Sequence, residues 1–147
     1  MLILGTRNNA TQTTLTDGNI DLGSVYRRYC KKTCNGLPNF STTSDAVTLN
    51  GDGIYHITAK FVVSGTAAGV ATAQMFVNGQ PVTGAIASET IATANTELRT
   101  MVIDEYVLVD KTCILGTSST LAKAISFVNT GIGATYTSVV VNIDKVV

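Results

Sequence analysis

Few side chains in this sequence have the types and spacing that could support chemistry, and His56 stands out because it is the only histidine. A Ser-His-Asp triad needs an imidazole within hydrogen-bond reach of a nucleophile and an orienting acid. No nucleophile-elbow motif is present, and His56 falls on the polar face of a predicted strand. The sequence therefore favours a surface or interface histidine, and a hydrolase that depends on His56 is kept as a third hypothesis.

The three cysteines, Cys30, Cys34 and Cys113, do not match a metal or redox motif. A structural zinc site needs four Cys or His ligands, and the one further candidate, His56, is predicted on a separate strand. A redox pair would have two intervening residues, whereas three separate Cys30 from Cys34. An odd count also argues against a secreted disulfide framework. We expect free thiols, with a Cys30–Cys34 bridge after exposure to air as the alternative.

The acidic residues also lack a catalytic arrangement. Asp104 and Glu105 are adjacent on a predicted strand, so their side chains point to opposite faces. Asn50-Gly-Asp-Gly53 resembles part of a calcium loop but lacks its spacing and terminal Glu, and turn chemistry explains it without a metal. There is no Gly-rich phosphate loop and no dinucleotide-binding pattern. We therefore predict no enzyme activity, no cofactor and no metal.

The strongest structural signal is the alternation within residues 53–63. Its apolar positions are Tyr55, Ile57, Ala59, Phe61 and Val63, with mostly polar residues between them. A period of two indicates a strand with one face in a core. Asn78-Gly79, between Val77 and Val82, predicts a tight hairpin because both residues tolerate positive φ. These patterns predict an antiparallel β-domain.

The composition indicates an assembled protein. Hydrophobic residues make up 45% and charged residues only 14% of the 147 residues, against roughly a quarter charged in ordinary domains. Charge depletion marks the cores of interfaces, so we favour burial in an assembly over a β-rich polar surface. The net charge of zero gives no case for nucleic acid. No apolar run is long enough for membrane insertion, and no signal peptide is recognised, so we expect synthesis in a cytoplasm.

The chain divides into two parts. Residues 1–45 look irregular and carry a charge of +2 (five basic, three acidic), and we predict an extended arm with one strand near 19–29. Residues 46–147 carry −2 (five basic, seven acidic) and show roughly eight strands, at 46–49, 54–64, 70–77, 81–86, 98–109, 113–115, 121–129 and 134–147. The strand at 98–109 is apolar on both faces in places, as if buried on two sides. This pattern predicts an all-β jelly-roll sandwich.

Two motifs carry a resemblance to a known family. Gly53-Ile-Tyr-His-Ile-Thr-Ala followed by Met75-Phe-Val-Asn-Gly-Gln-Pro-Val82, and the closing segment 129–147, resemble the head of the C1q and tumour-necrosis-factor-like superfamily. The Thr/Ala/Gly-rich loops and the lack of Trp are similar to its bacterial and phage branch. The resemblance covers about residues 46–147. It implies a homotrimeric jelly roll with a binding or structural role, and calcium as a minor alternative, since some relatives bind it.

The segment 16–29 resembles the opening of small phage virion proteins, and it ends in a basic-aromatic cluster. Arginine offers bidentate donors to carboxylates, and tyrosine offers amphipathic contact area. We predict partner binding by this part of the arm, through Tyr26, Arg27, Arg28, Tyr29, Lys31 and Lys32. The alternative is a solvated basic edge that resists strand pairing.

Together these features predict a structural phage virion protein, made in the bacterial host cytoplasm and located in the virion. It would be a trimeric capsid decoration protein or head-fibre knob, docked through its arm on the major capsid protein or another virion protein. The alternative is a receptor- or glycan-binding module at a fibre tip, which recognises a host surface through the loops 65–69, 87–97, 116–120 and 130–134. These loops contain no aromatic residue, which weakens sugar stacking.

Overall fold

The computed structural model describes residues 2–29, 40–114 and 117–147, and every regular element in these ranges is a β-strand. The first five are β1 (Leu2–Asn8), β2 (Gln12–Thr14), β3 (Gly18–Asn19), β4 (Ser24–Arg28) and β5 (Phe40–Thr42). The others are β6 (Ala46–Leu49), β7 (Gly53–Gly65), β8 (Gly69–Val77), β9 (Gln80–Ile91), β10 (Arg99–Val109), β11 (Lys111–Ile114), β12 (Thr117–Thr120), β13 (Lys123–Asn129) and β14 (Ala134–Lys145). The described residues include no helical segment that could span a bilayer.

Two antiparallel sheets form a sandwich. The front sheet has the order β10-β7-β14-β1-β4, with β2 also paired to β14. The back sheet has the order β5-β6-β13-β8-β9, with β3 also paired to β13, and β11 and β12 form a separate hairpin. The inward rows of the two sheets face each other and pack into a single core. The predicted all-β jelly roll is confirmed.

The core follows the alternation of β7. Its inward row is at most 1% exposed, and consists of Tyr55, Ile57, Ala59, Phe61 and Val63. The Phe61 ring meets Phe127 of the back sheet edge-to-face at 5.5 Å between centroids, and Tyr136 of β14 at 5.9 Å. Such edge-to-face pairs add to the stabilisation by area burial. The period-two interpretation of this segment is confirmed.

The Asn78-Gly79 turn joins β8 to β9 as predicted. Both residues have positive φ, 51° at Asn78 and 76° at Gly79, which the turn geometry requires and glycine adopts without a steric cost. The Asn78 Oδ1 accepts the N–H of Ala124 at 2.8 Å, which fixes the turn against β13. Pro81 then follows on β9, which is an edge strand of the back sheet, as expected for proline.

Two predicted loops are partly strands. β9 continues to Ile91, although a loop was expected from residue 87. Ala87 pairs with Ala73 of β8, and Ile91 is buried, so small residues continue a strand where the sequence alone indicated flexibility. Residues 117–120, also expected as a loop, form β12 and pair with β11.

The N-terminal region differs from the separate arm expected before residue 46. β1 lies inside the front sheet, where Leu4 is opposite Ile143 of β14 on one side and Arg28 of β4 on the other. Leu4, Ile20 and Leu22 are fully buried in the common core. The strand expected near 19–29 is present as β4. Described residues up to Arg28 therefore belong to the sandwich, because long-range pairing supplies the order that local sequence lacks.

A buried polar cluster, which we call the Asn129 cluster, also connects the N-terminal residues to the later strands. The Asn129 side chain is fully buried, and its Nδ2 lies within hydrogen-bond distance of the carbonyls of Thr14, Leu15 and Ile132, at 3.1, 3.2 and 2.8 Å. The Tyr136 hydroxyl donates to Asn129 Oδ1 at 3.0 Å. Burial raises the pKa of Tyr136. The cluster therefore ties the N-terminal segment to β13 and β14 through satisfied polar groups.

Candidate interaction surface

The outward face of β10 exposes large apolar side chains. Val102, Tyr106 and Leu108 are 52%, 59% and 52% exposed, and Ile54, opposite Leu108 on β7, is 36% exposed. We call these four residues the apolar strip. The expectation that this strand is buried on both sides is wrong for the single chain, because β10 is an edge strand with only its inward row in the core. An apolar outward row at an edge is typical of a contact surface.

His56 lies within this face. Its Nε2 is 2.6 Å from Asp104 Oδ1, and its ring stacks on Tyr106 with centroids 4.8 Å apart. Among the described residues Asp104 is the sole side-chain hydrogen-bond partner of His56, so no hydroxyl nucleophile is bonded to it. The predicted position of His56 on an outward face is confirmed. The geometry orients an imidazole and a carboxylate on a surface and does not complete a catalytic triad.

Two carboxylates of β10, Asp104 and Glu105, form what we call the acidic end. The Asp104 side chain is 58% exposed, and the Glu105 Oε1 accepts the N–H of Tyr106 at 2.9 Å. The two residues pair with Thr58 and Ile57 of β7, so they project to opposite faces of the same edge strand, as predicted. The acidic end therefore presents charge along the β10 edge and forms no carboxylate pair for acid–base chemistry.

Towards the opposite edge of the front sheet, β1 and β4 carry what we call the cationic end, which consists of Arg7, Tyr26 and Arg27. The Tyr26 ring lies against Gly5 of β1, where a Cβ would come within 2.7 Å of it, so glycine is needed for this close approach. The Tyr26 hydroxyl donates to Asn142 Oδ1 of β14 at 2.7 Å. The guanidinium carbons of Arg7 and Arg27 are 4.4 and 6.0 Å from the ring centroid. Cation–π contact thus holds two arginines beside one tyrosine.

The structure divides the predicted partner-binding cluster. Tyr26 and Arg27 belong to the cationic end, whereas the Arg28 guanidinium lies 5.1 Å from the Phe40 ring, towards the back sheet. Tyr29 follows the edge strand and is 48% exposed. Lys31 and Lys32 lie outside the described residues. Partner binding by these six residues stays a prediction.

Arg7 is the residue that the sequence did not single out. It stands alone between Thr6 and Asn8, about twenty positions before the basic cluster, and no local motif marks it. Its place becomes visible only through the pairing of β1 with β4, where Arg7 is opposite Ser24. Only knowledge of the pairing between β1 and β4 could have placed Arg7 beside Tyr26 and Arg27.

An exposed turn between β9 and β10 is organised by Glu97. Its Oε2 accepts the N–H groups of Ala92 and Thr93 at 2.6 and 3.0 Å, and its other oxygen pairs with Arg99. The backbone N–H of Thr93, then that of Ala92, then the Arg99 guanidinium hold the pKa of Glu97 below its ordinary value. The Glu97 carboxylate is therefore stabilised by partners within the turn itself.

The remaining candidates for metal or thiol chemistry do not assemble a site in the described residues. No group of three His, Cys, Asp or Glu side chains that could hold a metal occurs in the part of the chain that the structure describes. Asn50 and Asp52, which precede β7, each already interact with another group. Cys30 and Cys34 lie outside the described residues, as does the side chain of Cys113.

The strand order and the two facing sheets define the fold class as the jelly roll of C1q and tumour-necrosis-factor head domains. The globular domain of zebrafish complement 1qA is similar over 100% of this chain and 98% of its own, with a TM-score of 0.64 at 9% identity. Eiger TNF from S. frugiperda is similar over 99% and 93%, with a TM-score of 0.62 at 9% identity. Murine APRIL is similar over 97% and 98%, with a TM-score of 0.62 at 8% identity.

These likenesses concern the fold alone, because the identities are so low. No protein-family model and no curated protein sequence matches this chain. The predicted C1q/TNF-like architecture is confirmed by the structural neighbours. They cover the described residues of the first 45 positions as well as the later strands, in agreement with the pairing of β1 inside the front sheet.

Proposed function

We propose that this chain is a non-catalytic structural module of a phage virion, which assembles as a homotrimer and decorates the capsid or forms a head-fibre knob. The observation that carries the proposal is the apolar strip, where three side chains of one edge strand are more than half exposed in the single chain. A surface this apolar in a chain with only 14% charged residues is stabilised when it is covered. The resemblance to C1q and TNF heads implies three copies.

The same surface supports a binding role in place of catalysis. The imidazole of His56 is held by Asp104 and stacked on Tyr106 in the middle of the apolar strip. A contact face needs fixed polar groups for orientation and apolar area for affinity, and this arrangement supplies both. The structural neighbours reported above are complement and cytokine head domains.

Assembly is tested by mass. Light scattering at micromolar concentration should give about three times the chain mass of 15.4 kDa. Replacing Val102 and Leu108 together by Asn should shift the mass towards one chain, because polar groups replace the apolar strip. The matched control is Ile86→Asn, since Ile86 is 49% exposed on β9 of the back sheet. A monomeric wild type would reject the trimer, and a double variant as associated as the wild type would reject the apolar strip as its interface.

Docking on a particle is a separate step of the proposal. β4 ends at Arg28, and the exposed Tyr29 follows it at an edge of the front sheet. We propose that these residues, with Lys31 and Lys32, contact carboxylates of a virion protein. Tagged wild-type chains supplied during infection by the encoding phage should appear in purified particles. A tagged variant with Arg28, Lys31 and Lys32 all replaced by Glu should be absent from them. Equal incorporation of the two chains would contradict docking by this segment; Lys123→Glu on β13 is the control.

A further inference from the structure

In the front sheet, Asp104 and Glu105 lie on one edge strand and Arg7 and Arg27 lie towards the opposite edge, while Asp144 and Lys145 of β14 lie between them. In the strand order β10-β7-β14-β1-β4, the acidic end lies on one edge strand, and the cationic end lies on β1 and the other edge strand. Each end contributes two like charges, Asp104 and Glu105 against Arg7 and Arg27. Lys60 lies between them on β7, opposite Val102 and Val140. Strands β7 and β14 lie between the acidic end on β10 and Arg7 on β1, so the two ends do not meet within one chain.

Neither end is neutralised internally by a strong pair of Arg and carboxylate. Within the described ranges, ion pairs join His56 to Asp104 and Arg99 to Glu97, and neither Arg7 nor Arg27 has a carboxylate within ion-pair distance. The arginines are instead positioned by the Tyr26 ring. Asp104 keeps 58% of its side chain exposed beside His56. Preorganised, exposed charges of opposite sign on two sides of one sheet are available for contact with a partner.

A closed ring of identical chains brings such opposite sides together. In a head-to-tail assembly each contact uses two different patches, one from each copy, and the same contact repeats until the ring closes. We propose that the acidic end of one copy binds the cationic end of the next, with the apolar strip covered in the same interface. The inference rests on the proposed homotrimer and adds which edges meet and in which direction.

The chemistry favours a second copy of this chain as the occupant. Arginine binds carboxylates in a bidentate manner, and Asp104, 58% exposed on the face of the apolar strip, offers such a carboxylate. Glu105 projects to the other face of the same edge strand and adds negative charge to that edge. The chain as a whole has zero net charge, which is the condition under which copies do not repel one another. The apolar strip begins on the same strand as the acidic end, so one contact covers both.

The test is a pair of charge reversals and their combination. Arg7→Glu with Arg27→Glu reverses the cationic end, and Asp104→Lys with Glu105→Lys reverses the acidic end. Each pair should raise the dissociation constant of the trimer on the order of 100-fold, because like charges then face each other. The quadruple variant restores opposite signs and should regain most of the association. Lys123→Glu on β13 is the matched single-charge control and should leave association unchanged.

Sedimentation over a concentration series measures the association, and far-ultraviolet circular dichroism checks that each variant is folded. A salt series on the wild type needs no variant, and association should weaken from low to high salt because the contact is ionic. A monomeric wild type would overturn the homotrimer and this inference with it. A wild-type trimer that is indifferent to salt and to both reversals, or a quadruple variant as weak as the pairs, would overturn only the pairing of the two ends.

Discussion

The Asn129 cluster and the cationic end both connect the N-terminal strands to β14. They differ in how many of their polar groups already have a partner within the chain. In the Asn129 cluster the amide of one buried side chain is surrounded by three carbonyls and a tyrosine hydroxyl. At the cationic end a tyrosine hydroxyl also bonds an asparagine, Asn142, yet Arg7 and Arg27 are exposed and have no ion-pair partner among the described residues. The saturated cluster stabilises the fold, whereas the open one has capacity left for a partner.

The largest effect is expected where the saturated cluster is broken. Replacing Asn129 by Leu would remove the amide donor from the carbonyls of Thr14 and Ile132 and the acceptor from the buried Tyr136 hydroxyl. The Leu15 carbonyl would keep its bond from the Gly18 N–H. Each buried group without a partner costs on the order of 1–3 kcal/mol, so the free energy of unfolding should fall by about 3 kcal/mol or more. Urea denaturation at fixed chain concentration measures it.

The control for that variant is Asn19→Leu, an exposed asparagine on β3 that bonds Asp45. Its loss should change the free energy of unfolding by less than about 1 kcal/mol, as for most surface substitutions. If both variants were equally mild, the Asn129 cluster would not hold the N-terminal segment in place.

The two tyrosines allow the comparison to be made with one chemical change. Tyr136→Phe removes a buried hydroxyl and leaves Asn129 Oδ1 without its donor, which should cost about 1–2 kcal/mol of unfolding free energy. Tyr26→Phe removes a half-exposed hydroxyl whose acceptor, Asn142, can bond water, so the cost should stay below about 0.5 kcal/mol. Equal costs in urea denaturation would remove the distinction between the saturated and the open region.

The smallest effect concerns the Glu97 turn, which is exposed and nevertheless saturated. The backbone and arginine partners of Glu97 lower its pKa in the folded state. The Glu97 carboxylate therefore stabilises the folded state at pH values above the ordinary carboxyl pKa. That contribution is lost as the pH falls through the lowered folded value. Amide NMR shifts of Ala92 and Thr93 should follow this acid transition, and Glu97→Gln should abolish it with only a small loss of global stability.

The control for the turn is Glu89→Gln, since Glu89 lies on β9 outside the turn. It should leave the acid transition of Ala92 and Thr93 intact. A transition that survives Glu97→Gln would show that another group titrates there. The turn sharpens the comparison, because it separates exposure from unused binding capacity.

Local patterns were sufficient to predict β7 and the turn after β8. Alternation over Tyr55–Val63 is a property of a strand by itself, and Asn78-Gly79 has its φ preference in any context. The pairing of Leu4 with Ile143 has no such local basis, so the first strand was mistaken for an arm. Arg7 was missed for the same reason.

The face of β10 posed a different difficulty. Val102 and Leu108 indicate that the outward row is apolar, but the sequence does not distinguish cover by a second sheet from cover by another chain. In the structure no strand of the same chain covers that row within the described residues, as the exposure of Val102, Tyr106 and Leu108 shows. The apolar outward row was therefore recognised correctly, and the expectation of burial on both sides is wrong for the single chain.

The pairing of β1 with β14 has a consequence for how the protein is made. Since Leu4 lies opposite Ile143, the front sheet closes only after almost all of these residues have left the ribosome. Sheets built from such distant partners form slowly, typically in milliseconds to seconds, because the loop must close before its contacts compensate for the lost entropy. Until the sheet closes, its unpaired strand edges are exposed to other chains. The few charged side chains on these edges therefore oppose wrong pairing before the native structure has formed.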